Sequence, residues 1–275
     1  MRKLLALMLA ALLVLMALPL TGAMAEPVQE ITFALNNEPD GIDPSVTNNS
    51  FASPILANCF EGLVTYDTAT GSLIGGDAES WTISDDGTVY TFTLREGLKW
   101  SDGSPLTAQD YLYTFKRILT PATTAQYLSL LTDYIAGAQE YYDGTGTEEA
   151  LGVKAPDDRT FVLTLKAPAP YYIDVLTMWT FSPVQKATVE ANADKWTTSP
   201  DTYVVNGPFK VSELNMSQIG FRLSVRYIRM GKASVAFCLV GQRLSRLSAR
   251  TQSSLWISEP PQQPRQLSST PVRLR

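Results

Sequence analysis

Asp85-Asp86 and Asp157-Asp158 are the residue pairs of this sequence that could do acid–base work. Two carboxylates across a cleft hydrolyse glycosides, one as the acid and the other as base or nucleophile. Adjacent residues in a turn point apart, however, and both pairs sit where turn chemistry by itself favours Asp. No His occurs in the 275 residues. That removes the commonest general base, the usual metal ligand and every Ser-His or Cys-His nucleophile. Cys59 and Cys238 are the two cysteines; one possible pair is no disulfide framework, and Cys59 reads as a buried free thiol in an apolar helical pattern. Gly75-Gly76 lacks the Lys and Ser/Thr of a phosphate loop. The expectation is no catalytic residue, no metal ligand and no cofactor. An exported hydrolase built on carboxylates stays open as the alternative.

The elements that would carry these residues are legible up to about residue 215. Ile31 to Leu35 reads as an opening strand, followed by a turn or loop over Asn36 to Gly41. Ser53 and Pro54 start a helix, since Pro suits the first helical position. Ile55, Leu56, Cys59, Phe60 and Leu63 then give an apolar stripe at helical spacing. Ser84-Asp85-Asp86-Gly87 is a turn, and Tyr90, Phe92 and Leu94 alternate with Thr91, Thr93 and Arg95 as a half-buried strand. Ser101-Asp102-Gly103 turns the chain again. Thr107 and Asp110 have capping-box spacing ahead of a helix carrying Tyr111, Leu112, Phe115 and Ile118. A second helical stretch is predicted from about Thr124 to Tyr142, closed by Gly144-Thr145-Gly146. Phe161, Leu163 and Leu165 alternate as a strand ending at Pro168. Short helices follow over 170–178 and 182–196, and Asn206-Gly207-Pro208 leads into a short strand, Phe209 to Val211. Aromatic residues line ligand clefts, but packing is the expected role of Trp81, Trp100, Trp179 and Trp196.

The N-terminus carries a targeting signal. Arg2 and Lys3 precede an apolar run from Leu4 to Leu18, then Pro19 and the small-residue exit Ala23-Met24-Ala25. This is the three-part pattern of a secretory signal peptide, and the run is shorter than the roughly 20 residues that span a bilayer. Residues 1–25 are therefore assigned as a signal peptide, with no integral span after its removal.

Charge divides the rest. Residues 1–218 hold 12 basic and 26 acidic residues, net −14, whereas residues 219–275 hold 10 basic residues and one acidic, net +9. The acidic part repels phosphate, so no nucleic-acid partner is expected. The basic part, a Ser/Arg/Gln mixture with Pro260-Pro261-Gln262-Gln263-Pro264, reads as an aberrant, disordered tail. A shifted reading frame is its favoured origin, and a basic arm for anionic surfaces the alternative.

The order of segments resembles the family 5 extracellular solute-binding proteins, the peptide receptors of ABC importers. The resemblance is carried by Ala78-Glu79-Ser80-Trp81 with Ser84-Asp85-Asp86-Gly87, then Tyr90-Thr91-Phe92, Leu94-Arg95, Lys99-Trp100-Ser101-Asp102-Gly103 and Leu106-Thr107-Ala108-Gln109-Asp110. Asn37-Glu38-Pro39, Ile42-Asp43-Pro44 and Phe60-Glu61-Gly62-Leu63 match upstream. Gly152 to Ala155, Pro170-Tyr171, Ser182-Pro183 and Asn206-Gly207-Pro208-Phe209 match downstream. The resemblance covers about residues 30–215 and implies an α/β, periplasmic-binding-protein-like clam-shell of type II, incomplete here. Residues 26–218 would be its N-terminal part, a portion of the first lobe with the small second lobe. Such receptors bind an extended peptide by strand addition, without chemistry. The resemblance implies a small peptide ligand, ABC permease subunits as partners, a monomer, and a periplasmic or cell-surface location. Its site residues carry over to Asn48, Asn49 and Ser50, with Tyr127 beside them. Because members of the family continue into a further lobe, a fragment without ligand affinity is the third open reading.

Overall fold

The computed structural model describes residues 30–35, 37, 39–217 and 220–227. The signal segment, Cys238 and residues 228–275 lie outside them.

Alternating apolar residues build the first core. Strands β4 (Ala78–Ile83), β5 (Val89–Leu94), β6 (Val153–Lys154) and β7 (Thr160–Thr164) form an antiparallel sheet in the order β4-β5-β7-β6. Register places Tyr90 opposite Leu163 and Phe92 opposite Phe161. The inward residues Tyr90, Phe92, Phe161 and Leu163 have no solvent exposure. Helix α2 (Ala108–Ile118) covers this face. Thr107 opens it with the capping box that the sequence predicts, its backbone N–H donating to the Asp110 carboxylate at 2.9 Å. Tyr111 and Phe115 then bring their rings to 5.6 and 5.2 Å from that of Phe161.

A second core gathers around helix α1 (Ser53–Cys59). Ile55, Leu56 and Cys59 pack with Ile42, Val184, Trp196, Tyr203, Val205 and Phe209. The helix ends at Cys59, and Phe60 is extended, so the stripe predicted to reach Leu63 leaves the helix early while staying buried. The free Cys59 thiol is pushed up to about 12 by burial and is chemically quiet. Strands β2 (Val64–Tyr66) and β3 (Leu73–Gly75) make a small hairpin between these segments in sequence.

A third sheet has the order β1-β9-β8, from β1 (Glu30–Leu35), β8 (Phe209–Ser217) and β9 (Gly220–Tyr227). Two expectations change here. The strand at Phe209 runs to Ser217, well past Val211. Residues 220–227, which their charge assigns to the tail, form a strand paired on both sides, with Val225 opposite both Ile31 and Val211. All strand pairs among the described residues are antiparallel.

The long helix predicted over 124–142 is also corrected. The chain there forms a 3-10 turn (Pro121–Thr123) and two short helices, α3 (Ser129–Thr132) and α4 (Ala138–Tyr142). Between them the backbone turns to pair with the sheet. The Ala136 N–H donates to the Thr164 carbonyl at 2.9 Å, and the Gly152 N–H donates to the Ala136 carbonyl at 2.7 Å. Gly137 then takes φ +69, with a Cβ-sized space closed by the Ala150 carbonyl at 2.5 Å. Only Gly makes that turn without strain. Helix α5 (Tyr172–Val175), a 3-10 turn (Trp179–Phe181), helix α6 (Lys186–Asn192) and a further 3-10 turn (Ala193–Lys195) lie between β7 and β8, so the helices expected over 170–178 and 182–196 are each shorter than their sequence spans.

Candidate ligand-binding site

Asp43 organises the segment that carries three of the four expected site residues. Its backbone carbonyl accepts the N–H groups of Val46 and Thr47 at 3.1 and 3.0 Å, and its carboxylate accepts the Ser45 N–H at 3.0 Å. Arg117, on the last turn of α2, grips both carboxylate oxygens at 3.0 and 2.6 Å. The Trp196 indole N–H adds a bond at 3.1 Å. The Tyr203 hydroxyl donates to the Ile42 carbonyl next door at 2.7 Å. A loop braced by side chains from α2 and from the 196–203 segment is held rigidly although it has no regular structure.

The backbone beyond Asp43 is consequently divided into satisfied and unsatisfied groups. The Thr47 hydroxyl donates to Asp40 and accepts the Asn49 N–H. The Asn49 carbonyl accepts from Ala52, and its side-chain oxygen accepts from Phe51 at 2.8 Å. The backbone of Asn49 is thus used up internally. The backbone N–H and carbonyl groups of Asn48 and Ser50 have no hydrogen-bond partner among the described residues, and both residues are exposed. Asn48 lies in irregular loop and Ser50 enters the turn closed by the Ala52 N–H to Asn49 carbonyl bond, so the two open residues flank a closed one on a braced loop that is not itself a strand.

Tyr127 joins this loop through a residue the sequence reading assigned to packing. The Trp179 indole N–H donates to the Thr47 carbonyl at 3.2 Å, and the Tyr127 ring meets the Trp179 ring edge-on at 6.2 Å. Both rings are half-buried. Asn48, Asn49, Ser50 and Tyr127 therefore belong to one neighbourhood, with Trp179 as the link. Trp179 lies three residues before Ser182-Pro183, a pair that carries the resemblance, and is itself outside the quoted motifs.

The paired carboxylates do turn work. Asp86 accepts from the Ser84 hydroxyl at 2.6 Å and from the Thr88 N–H and hydroxyl, and these bonds hold its carboxyl below the ordinary range. Asp157 accepts the N–H groups of Arg159 and Thr160, and is lowered by them. All four residues are exposed on their turns. The carbonyls of Gly75 and Gly76 accept from the Arg95 guanidinium, so this pair of glycines is an acceptor where a phosphate loop would be a donor. Among the described residues, no cluster of three or more His, Cys, Asp or Glu could hold a metal ion, and no helix is long and apolar enough to cross a membrane.

One carboxylate is buried for structural reasons. Asp77 is 3% exposed and accepts the Tyr111 hydroxyl at 2.7 Å and the Asn206 amide at 2.8 Å. Asn206 also bonds both the N–H and the carbonyl of Glu61. Burial first, then the nearby Glu61 carboxylate, raises Asp77 well above its ordinary range, and burial raises Glu61 too. A folded-state value above the unfolded one means that the folded protein holds the proton longer. The stability this contributes is complete below about pH 4 and declines as pH rises through the folded value. We expect Asp77→Asn, which keeps an acceptor for Tyr111 and Asn206, to flatten that decline. Melting curves of both proteins from pH 4 to pH 8 check this; parallel Tm–pH profiles would contradict it.

Comparison with known proteins places this geometry. The model of bacterial extracellular solute-binding proteins, family 5 (middle region), matches residues 72–235. The chain is 38% identical over 179 residues to the oligopeptide-binding protein OppA of Bacillus subtilis (strain 168), covering 65% of this chain and 32% of that protein. It is 40% identical over 185 residues to the periplasmic oligopeptide-binding protein OppA of Escherichia coli (strain K12), covering 66% and 34%. Among solved structures, an oligopeptide-binding protein from Borrelia burgdorferi (OppAIV) superposes with a TM-score of 0.64 at 39% identity, covering 66% of this chain and 36% of that one. OppA of Haemophilus influenzae, crystallised in complex with RPPGFSPFR, gives 0.63 at 36% identity, covering 66% and 36%. The chain spans about a third of the length of the curated relatives it matches.

Proposed function

Since this chain belongs to the bacterial extracellular solute-binding proteins of family 5, with the periplasmic-binding-protein fold of its structural neighbours, we propose that it acts as an exported, peptide-binding component of an ABC importer. It would take up small peptides by main-chain pairing at Asn48 and Ser50, without chemistry, and deliver them to permease subunits as a monomer. The observation that carries this reading is the open backbone at those two residues, held by the Asp43 brace beside the Trp179–Tyr127 rings. Strand addition needs such an edge and a neighbouring surface for side chains. The signal-peptide pattern supports export to the periplasm or the cell surface. The two cores fit a portion of the first lobe, around α1 and β8, and the small second lobe, around the β4-β5-β7-β6 sheet.

The described residues offer one wall of a site, so we expect affinity near the millimolar range, about −4 kcal/mol. Isothermal titration of the chain without its signal segment, using tri- to pentapeptides at millimolar concentration, tests this. Saturable binding, with the peptide recovered intact by mass spectrometry, is the expected result. No heat with any peptide would leave a fragment without ligand affinity. Cleaved peptide, abolished by replacing Asp85 or Asp157, would favour the hydrolase.

A further inference from the structure

Trp179 is held from three sides. Its indole N–H is occupied by the Thr47 carbonyl, Tyr127 stands edge-on to its ring, and it packs against the second core. Its neighbours fix the backbone. Met178 packs on the first core, while Thr180 and Phe181 are 0% and 1% exposed. The ring packs on the second core while Met178 and Phe181 beside it anchor the backbone in the first, which leaves it little freedom to swing away. A tryptophan whose one polar atom is already satisfied presents only apolar surface and a π face. The Thr47 carbonyl that Trp179 binds belongs to the peptide link with Asn48, the first of the two open residues. The ring surface rewards burial of hydrocarbon and offers no hydrogen bond to a polar side chain.

We infer that Trp179 is a specificity-determining residue of the site, selecting peptides that place a large apolar or aromatic side chain next to the segment paired with Asn48 and Ser50. The inference rests on the peptide-binding reading above and deepens it. Tyr127 serves as the second wall of the same corner. Short polar side chains would gain nothing there.

The test uses the full mature chain labelled with 5-fluorotryptophan. Fluorine NMR resolves each of its five tryptophans, and a Trp179→Phe spectrum assigns the resonance of interest. Trileucine, trialanine, triserine and trilysine are titrated in turn. Trileucine is expected to bind about tenfold tighter than trialanine, as burial of the added methylenes implies, and to shift the Trp179 resonance. Trp179→Ala is expected to bring the two within about twofold. Trp179→Phe, which keeps a ring, should retain most of the preference. Should Trp179→Ala fail to fold, the wild-type resonance decides: saturation by trileucine with no movement of Trp179 overturns the inference. So does an unchanged preference in Trp179→Ala, or tightest binding of trilysine or triserine; each of these leaves peptide binding itself standing. No binding of any tripeptide overturns the peptide-binding reading and this inference with it.

Discussion

Asp43→Ala should lower the melting temperature by about 6–12 °C. The substitution leaves Arg117 without its carboxylate, and the two side chains are only 15% and 14% exposed. Removing one partner of a buried ion pair costs about 3–5 kcal/mol, because the remaining charge is uncompensated. The residual exposure argues for the lower end, about 3 kcal/mol, and each kcal/mol moves Tm by roughly 2–4 °C in a chain of this size. The Ser45 N–H and the Trp196 indole N–H lose their acceptor in the same step. Asp43→Asn should fall between, since its one amide oxygen can keep either the Ser45 bond or the Trp196 bond, which reach different carboxylate oxygens, without the charge. Scanning calorimetry of the two variants with Arg117→Met and the double mutant separates the pair from its context. A loss below about 2 °C for Asp43→Ala would show that the brace contributes little. Because the same carboxylate anchors Ser45 ahead of the open residues, peptide affinity should fall together with stability.

Gly207→Ala should cost about 2–6 kcal/mol. A Cβ at this position would lie 2.5 Å from the Cys59 carbonyl carbon and 2.7 Å from its oxygen. Those atoms belong to backbone at the end of α1, which cannot rotate away as a side chain can. The clash also forces apart the bond from the Gly207 N–H to the Cys59 carbonyl, 2.8 Å long. Overpacking typically costs 1–3 kcal/mol, and an orphaned buried acceptor about as much again. Chemical denaturation with an unchanged m-value checks the prediction. Wild-type stability would mean that the two segments move apart freely, and that the Asn206 bridge to Glu61 beside them is equally soft.

The comparison of sequence with structure divides along sequence separation. The Ser84–Gly87 turn, the Tyr90/Phe92/Leu94 alternation and the Thr107 capping box are each decided by residues a few positions apart, and each appears as read. The helix expected over 124–142 is broken by partners at Gly152 and Thr164, which no local pattern reveals. Strand β9 had its own local signal, since Phe221, Leu223, Val225 and Tyr227 alternate with Arg222, Ser224 and Arg226. The basic composition of the whole segment outweighed that alternation. The same rule governs the site. Asn48, Asn49, Ser50 and Tyr127 were reached only through resemblance to a family. Trp179, which joins them, lies 132 residues from its hydrogen-bond partner Thr47. Asp43 was visible as a motif residue, but its partners Arg117 and Trp196 lie 74 and 153 residues away.

The proposed edge that receives a peptide is Asn48 and Ser50, two exposed backbone positions with Asn49 between them. Amide hydrogen exchange resolved to single residues, with and without saturating trileucine, addresses it most directly. Slowed exchange is expected at Asn48, Ser50 or both, with the Asn49 amide, already bonded to Thr47, little changed. A bound peptide that leaves the Asn48 and Ser50 amides exchanging at their free rates would contradict it.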